Sequence, residues 1–117
     1  MKIALAFAVC LLLAACNRVP DLDEAAVEAI LADARLILDN APIGAVEPSA
    51  WPASFAQLSA KAVRVTEEGL FIVTYSFFVE ESGVFVVRDL AKFEWGTGYD
   101  PEFRRIRDGL FEYHFTG

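Results

Sequence analysis

The sequence predicts an α+β domain in which one N-terminal helix packs on a four-stranded antiparallel meander sheet. Apolar residues recur at helical spacing over residues 21–40, and from Lys61 onward they alternate with polar residues at the period of a strand. The predicted strands follow one another through short turns, so neighbouring strands should pair antiparallel. A helix that precedes such a sheet most simply covers one of its faces.

The predicted helix covers residues 21–40. Asp21 is a suitable N-cap, and Glu24, three residues later, completes the pattern of a capping box. Asn40 and Pro42 mark its end. The apolar stripe of this helix is expected to contact the core. The stripe comprises Val27, Ile30, Leu31, Ala34, Ile37 and Leu38.

A proline-rich loop at residues 41–54 should follow the helix, and a helical turn that ends at Leu58 should close one end of the core with Trp51 and Phe55. Four strands are then predicted at residues 63–65, 70–80, 84–95 and 110–115. Turns are expected at 67–69 and 81–83, and a loop at 96–101. One apolar face of the second strand should comprise Phe71, Val73, Tyr75, Phe77 and Val79.

The N-terminus has the features of an export signal. Lys2 precedes the uncharged apolar run Ile3–Ala15 of thirteen residues, which is shorter than the about 20 residues of a membrane-spanning helix. The run ends in Leu13-Ala14-Ala15-Cys16. This order of leucine, two small residues and cysteine resembles the lipobox of bacterial lipoproteins. The resemblance implies that residues 1–15 are removed and that Cys16 carries the lipid anchor.

Residues 16–20 are then the lipidated cysteine and a short tether, and residues 21–117 form one globular domain. Asn17 stands where an aspartate favours inner-membrane retention in enteric bacteria, so the chain resembles a periplasm-facing lipoprotein of the outer membrane. Asn17 to Pro20 reach at most about 14 Å when extended. The domain is therefore expected to lie close to the membrane, held there by its acyl chains.

Composition argues against several classes of function. Without Lys2 the chain has 9 basic and 17 acidic residues, a net charge of 9 − 17 = −8, which disfavours nucleic acid as a partner. Cys10 lies in the removed segment and Cys16 is lipidated, so the domain keeps no thiol for a disulfide or for catalysis. With one histidine, His114, and scattered carboxylates, no metal site and no cofactor are expected.

The sequence contains no recognisable catalytic motif. His114 lies in an alternating strand, where a half-buried structural role is more common than that of a base. Glu80 and Glu81 are adjacent and should point to opposite sheet faces, which does not make a carboxylate pair. Gly96-Thr97-Gly98 lacks the further glycine of a nucleotide loop.

The one basic cluster is a candidate interaction patch. It combines Arg104, Arg105 and Arg107 with Trp95 and Tyr99, and arginine and aromatic residues are enriched at binding hot spots. The alternative is that these arginines pair with neighbouring acidic residues on the surface. Those residues are Asp100, Glu102, Asp108 and Glu112.

The leading functional hypothesis is a lipid-anchored, non-enzymatic interaction module that acts on an envelope protein near the membrane. It would offer either a sheet edge or the patch around Arg104. The alternative is a carrier of a small apolar or envelope-derived ligand held between helix and sheet. An enzyme, with a site around His114, is a more distant third hypothesis.

Overall fold

The computed structural model describes residues 21–95 and 100–117, and it confirms the α+β class. The α-helix and strands are α1 (Glu24–Asn40), β1 (Gly44–Ala45), β2 (Ala62–Val65), β3 (Gly69–Phe77), β4 (Glu80–Val87), β5 (Glu102–Arg107) and β6 (Leu110–Phe115). These strands form one antiparallel sheet in the order β1-β2-β3-β4-β6-β5. Short 3₁₀ helices lie at Pro48–Ala50, Ala53–Leu58 and Leu90–Lys92.

The prediction of four strands in a meander is wrong in two respects. Within the part of the chain that the structure describes, the sheet has six strands, and β6 rather than β5 pairs with β4, so that β5 lies at an edge. The sequence of β5 is dominated by charge, which hid it from a search for alternating apolar residues. Edge strands accept such charges because one side of the strand is open to solvent. The other missed strand, β1, has only two residues.

The helix begins three residues later than predicted. Asp23, not Asp21, is the N-cap, and its carboxylate accepts a hydrogen bond from the Ala26 amide at 2.7 Å. Leu22 packs against the core on the N-terminal side of this cap, and Val27 is buried on the other. These positions are those of a hydrophobic staple, which fixes the direction in which the chain enters the helix.

The cap gives a paired prediction. Asp23→Ala is expected to lower the free energy of unfolding by about 1 kcal/mol because the first turn loses a hydrogen-bond acceptor. Asp21→Ala, which removes the same group from an exposed position outside the helix, should change it by no more than about 0.5 kcal/mol. Urea unfolding followed by circular dichroism measures both. Equal losses in the two variants would contradict the assignment of Asp23 as the cap.

One face of the sheet packs against the helix as predicted. Val27, Ile30, Ala34 and Leu38 of the stripe are buried, and Leu31 and Ile37 pack partly buried against them. Phe55 and Leu58 are fully buried at the end of this core, as the sequence predicts. The strands contribute Val63, Val65, Leu70, Ile72, Val84, Val86 and Leu110.

The opposite face carries an aromatic cluster. Ring centroids of Phe71 and Phe85 lie 4.6 Å apart, and Phe93 packs on Phe85 at 5.2 Å. The buried members are Phe71, Phe85, Val87, Phe103, Phe111 and Tyr113. Phe93 comes from the segment after β4, which leaves the sheet at Val87 and returns across this face. The prediction of a third strand that continues to residue 95 is therefore wrong after Val87. The sheet has an apolar core on each of its two faces.

The hairpin of β3 and β4 also differs from prediction. Residues 81–83, predicted to be a turn, lie inside β4, and the chain reverses at Phe78 and Val79. Gly83 is a glycine because of close strand packing and not because of a turn, since a Cβ atom there would lie 2.0 Å from the carbonyl oxygen of Ile72. A register shift follows, since Val73 pairs with Gly83 but the next pair is Tyr75 with Ser82. This bulge breaks the predicted continuous face of the strand.

The helix packs on its face of the sheet near one end of the strands, where β4 and β5 end. Near its start, Glu24 pairs with Arg107 at 2.6 Å, where β5 ends. Near its C-terminus, the Leu38 carbonyl accepts a hydrogen bond from Arg88, which directly follows β4. The β3–β4 turn is at the other end of the sheet, about 26 Å away at eight strand residues. No helix within residues 21–95 and 100–117 is long and apolar enough to cross a membrane.

Candidate functional site

Three consecutive apolar residues are exposed where β3 turns into β4. Phe77, Phe78 and Val79, together called the hairpin tip here, are 58%, 90% and 68% exposed. The two phenyl rings contact each other with centroids 4.5 Å apart. Phe115, 36% exposed, lies at the end of β6 and lines the same cleft as Phe78 and Val79. Together these side chains form a continuous apolar surface at the end of the sheet that the helix leaves open.

Phe78 holds an unfavourable backbone conformation. Its φ is +54°, in the left-handed region, although it is bulky and lies in a two-residue turn whose first position normally carries glycine. Such a conformation costs about 1–2 kcal/mol relative to glycine. The ring recovers little of that by burial, since it is almost fully exposed. Residues kept in strained conformations that stability does not explain point to function.

A cleft of about 300 Å³ lies beside the tip on the aromatic face. Its apolar walls come from Phe78 and Val79 of the tip, from Phe71 and Phe115, and from Pro101 ahead of β5. Its polar side is formed by Arg64, Ser76, Glu80, Glu81 and Tyr113. The cleft therefore offers an apolar surface that ends on hydrogen-bonding groups.

The polar floor of the cleft is a closed hydrogen-bond network. Arg64 donates two hydrogen bonds to the Glu81 carboxylate, at 3.0 and 2.6 Å. The Tyr113 hydroxyl donates to the same carboxylate at 2.8 Å. The Arg64 guanidinium lies 4.7 Å from the centre of the Phe71 ring, within the range of a cation–π contact. The network joins β2, β4 and β6, and so it holds the base of the hairpin in place.

The network shifts the pKa values of its members. Burial disfavours the charged form of Glu81, but the hydrogen bonds from Arg64 and Tyr113 outweigh it and lower the pKa of the carboxyl. Burial, together with the hydrogen bond to Glu81, raises the pKa of Tyr113 well above its usual range. The hydrogen bond to Glu81 also raises the pKa of Arg64. At neutral pH the floor is thus an ion pair with a neutral phenol.

This network predicts a pH dependence of stability. At pH 7, Glu81→Gln should lower the free energy of unfolding by about 1.5–3 kcal/mol because charged hydrogen bonds are lost. The carboxyl titrates at lower pH when folded than when unfolded. The Glu81 carboxylate therefore contributes its full share of the free energy of unfolding above about pH 5. That contribution is lost as the pH falls from the ordinary pKa of 4.5 through the lower pKa of the folded protein.

Urea unfolding of wild type and Glu81→Gln between pH 3 and 7 measures the difference between their free energies of unfolding. This difference should become smaller as the pH is lowered toward 3. Glu67→Gln, at an exposed position in the β2–β3 turn, is the control. A difference that stays constant down to pH 3 would contradict the role assigned to Glu81.

The predicted arginine–aromatic patch is not assembled on a single surface. Arg104 pairs with Glu112 across β5 and β6, and Arg105 pairs with Asp108 at 3.1 Å. Successive strand residues point to opposite faces, so Arg104 and Arg105 face opposite ways. Arg107 pairs with Glu24 of the helix.

Of the two aromatic residues of that patch, the structure describes only Trp95. Trp95, 45% exposed, packs its ring at 5.1 Å from Phe111 and so belongs to the edge of the aromatic cluster. Tyr99 lies outside the residues that the structure describes, as does the lipid attachment residue Cys16. The surface pairing that the sequence offered as an alternative is observed for two of the arginines, with Glu112 and Asp108.

His114 lies near the end of β6 in a short polar chain. Its Nδ1 is 2.5 Å from the Ser82 hydroxyl, and its Nε2 is 3.2 Å from Glu80. Ser82 is 6% exposed and pairs with His114 across β4 and β6, so its hydroxyl serves as a partner for the imidazole rather than as an accessible nucleophile. Glu80 and Glu81 contact different groups, His114 and Tyr113, although both line the cleft beside the tip. In residues 21–95 and 100–117, no three His, Cys, Asp or Glu side chains are grouped to hold a metal ion.

Comparison with family models, with curated proteins and with solved structures gave no match for this chain. The site must therefore be interpreted from its own geometry. Sequence reasoning missed the hairpin tip because it has no Gly, Asn or Pro to indicate a turn. The one available signal was the unbroken apolar run Phe77-Phe78-Val79, which an alternating strand with a single buried face does not explain.

Proposed function

We propose that this protein is a lipid-anchored, non-enzymatic interaction module of the bacterial envelope that binds a neighbouring envelope protein through the hairpin tip. The observation that carries the proposal is Phe78, a bulky aromatic residue that is 90% exposed in a conformation favoured by glycine. Neither the exposure nor the conformation benefits the isolated domain. Both are explained if the ring is buried in a complex, since aromatic residues dominate binding hot spots.

The position of the tip fits such a role. The chain enters the domain beside Arg107, at the end of the sheet covered by the helix. A lipid on Cys16, as the lipobox resemblance implies, would place that end near the membrane. The tip is about 26 Å further along the strands. It can therefore point away from the lipid surface toward a protein in the same compartment.

The patch around Arg104 is the weaker candidate surface. Its three guanidinium groups already contact carboxylates, and exposed pairs of this kind contribute little to binding or stability. The sheet edge offered by β5 is also interrupted, because the register shifts between Arg105 and Arg107. A bulge and charged side chains are common protections against strand addition.

A ligand carrier is the second candidate. The observation that favours it is the cleft beside the tip, whose volume of about 300 Å³ is at the lower end of the range for ligand pockets. Between the helix and the sheet, by contrast, Ile30, Ala34 and Ile72 have no exposed area. A small apolar ligand would thus be sought beside Phe78, not under the helix.

Crosslinking and capture from native membranes test the proposal. Four forms of the full-length protein are compared: wild type, Cys16→Ser, Phe78→Ser and Leu36→Ser. Leu36 is the matched control because it is a 61% exposed apolar residue on the helix, away from the tip. Wild type and Leu36→Ser should capture the same envelope protein, identified by mass spectrometry. Phe78→Ser should lose it although folded, and Cys16→Ser should lose it although the tip is intact.

Two results would overturn the proposal. Equal capture by Phe78→Ser and wild type would remove the tip as the binding surface. No specific capture by the folded, lipidated wild type would remove the partner hypothesis and leave the ligand carrier as the next candidate.

A further inference from the structure

The basic side chains of the described residues are largely engaged within the domain. Arg35 and Arg88 donate to backbone carbonyls near the helix, at Val87 and Leu38. Five other cations each pair with a carboxylate; they are Arg64, Lys92, Arg104, Arg105 and Arg107. The charge that remains for a partner is accordingly negative, as expected for a chain with 17 acidic and 10 basic residues.

Two of the carboxylates without a Lys or Arg partner in the described residues lie in the lining of the hairpin-tip cleft or next to it in the chain. Glu80 lines the cleft, and its carboxylate is 3.2 Å from Nε2 of His114. Asp100 directly precedes Pro101 of the cleft wall, and its carboxylate accepts hydrogen bonds from the Thr116 and Gly117 amides at 2.8 and 3.1 Å. These backbone bonds fix the position of the Asp100 carboxylate without neutralising it. The apolar cleft thus has one acidic group in its lining and a second beside Pro101.

The cleft suits one side chain better than a whole small molecule. Its volume of about 300 Å³ is at the bottom of the range of about 300–1,000 Å³ found for ligand pockets. Its floor is already internally bonded, since Glu81 accepts from both Arg64 and Tyr113. A buried polar group of a ligand would therefore find few free partners there, whereas an apolar side chain needs none.

From this geometry we propose that the partner presents a large apolar side chain flanked by lysine or arginine. The apolar side chain occupies the cleft against Phe78 and Phe115, and the flanking cations approach Glu80 and Asp100. This inference rests on the proposed function and adds the chemistry of the partner segment. A membrane is the less suitable occupant, because an acidic rim on a chain of net charge −7 is repelled by anionic lipid headgroups.

Two synthetic peptides test the inference. Both carry a central Phe-Phe pair; one is flanked by lysines and the other by glutamates at the same positions. Binding to the full-length protein in nanodiscs is measured by fluorescence anisotropy at low and high salt. The lysine peptide should bind at least about 10-fold more tightly at low salt, and the preference should shrink at high salt as the charges are screened.

Variants connect the preference to the rim. Glu80→Gln with Asp100→Asn should weaken lysine-peptide binding by about 5-fold and reduce its salt dependence, a range typical of rim charges. Asparagine at 100 keeps an oxygen that accepts from the Thr116 amide but loses the acceptor for Gly117, so circular dichroism is used to check that this variant is folded. Glu28→Gln with Glu67→Gln, at two exposed positions away from the cleft, is the charge-matched control and should bind as wild type does. Phe78→Ser should abolish binding of both peptides.

Each contrary result is distinct. Equal binding of the two peptides, or no effect of the rim variant, overturns the charge preference while leaving the tip as a docking surface. If the Phe78→Ser variant also binds the peptides as tightly as wild type does, both the charge preference and the proposed function of the tip are wrong. Phe78-dependent binding of unanchored Cys16→Ser protein to phosphatidylcholine vesicles would assign the tip to lipid and overturn the inference.

Discussion

Phe85→Ala is expected to lower the free energy of unfolding by about 3–5 kcal/mol, the range found for removal of a buried phenyl ring. Phe85 has no exposed area, and its ring contacts those of Phe71 at 4.6 Å and of Phe93 and Phe103 at 5.2 Å each. The cavity would lie at the centre of the aromatic cluster. Since neighbours in β-strands are held by the sheet, they can close over it only in part.

Urea unfolding measures this loss, and Phe115→Ala is the matched control. Phe115 is the same residue type in the same sheet but 36% exposed, and its removal should cost about 1 kcal/mol or less. If the two variants lost equal stability, the face opposite the helix would not be a second core. Since native domains have about 5–15 kcal/mol of stability, Phe85→Ala should remove a large fraction of the free energy of unfolding.

Phe78→Asn is expected to have the largest effect on function. It should weaken partner capture while making the folded domain more stable. Asparagine tolerates positive φ far better than a bulky aromatic residue, so the free energy of unfolding should rise by up to about 1 kcal/mol. Partner capture should fall at least about 10-fold, because loss of a hot-spot aromatic residue costs 2 kcal/mol or more. Thermal unfolding and capture from membranes are measured on the same preparations.

Leu36→Asn is the control for Phe78→Asn. It makes a similar loss of apolar surface on the exposed side of the helix, where it should slightly lower stability and leave capture unchanged. A more stable Phe78→Asn variant that still captures the partner would show that the strained phenylalanine is not kept for binding. A less stable one would contradict the assigned strain.

The helix and the central strands could be predicted from the sequence because their apolar residues follow the period of each element. The stripe from Val27 to Leu38 has one buried side, and apolar and polar residues alternate in β6 from Phe111 to Phe115. Periodicity failed where burial was not one-sided. In β4, the four residues from Val84 to Val87 are all buried, alternately on the two faces of the sheet. Their sequence is therefore a continuous apolar run with no alternation to mark a strand. In β5, solvent on one side of the strand admits arginines that conceal it.

The candidate site was less accessible to sequence reasoning than the fold. A turn at Phe78-Val79 has none of the residues that usually mark a reversal. The sequence therefore predicted the turn three residues later, at Glu81-Ser82-Gly83, where Gly83 is instead required by the packing of two strands. The arginine cluster attracted notice because of its charge. Its pairing with Glu112 and Asp108 was among the alternatives that the sequence offered. Its pairing with Glu24, which is 83 residues away in the chain, becomes visible only once the chain is folded.

Site-specific photo-crosslinking in intact cells tests the central claim most directly. A photoreactive phenylalanine analogue is placed in turn at position 78 and at position 36, in the full-length chain. We predict that position 78 gives one discrete crosslinked envelope protein that is lost with Cys16→Ser, and that position 36 gives none. Crosslinks from position 36 equal to those from 78, or crosslinks from 78 to lipid alone, would contradict the claim that the hairpin tip binds a protein partner.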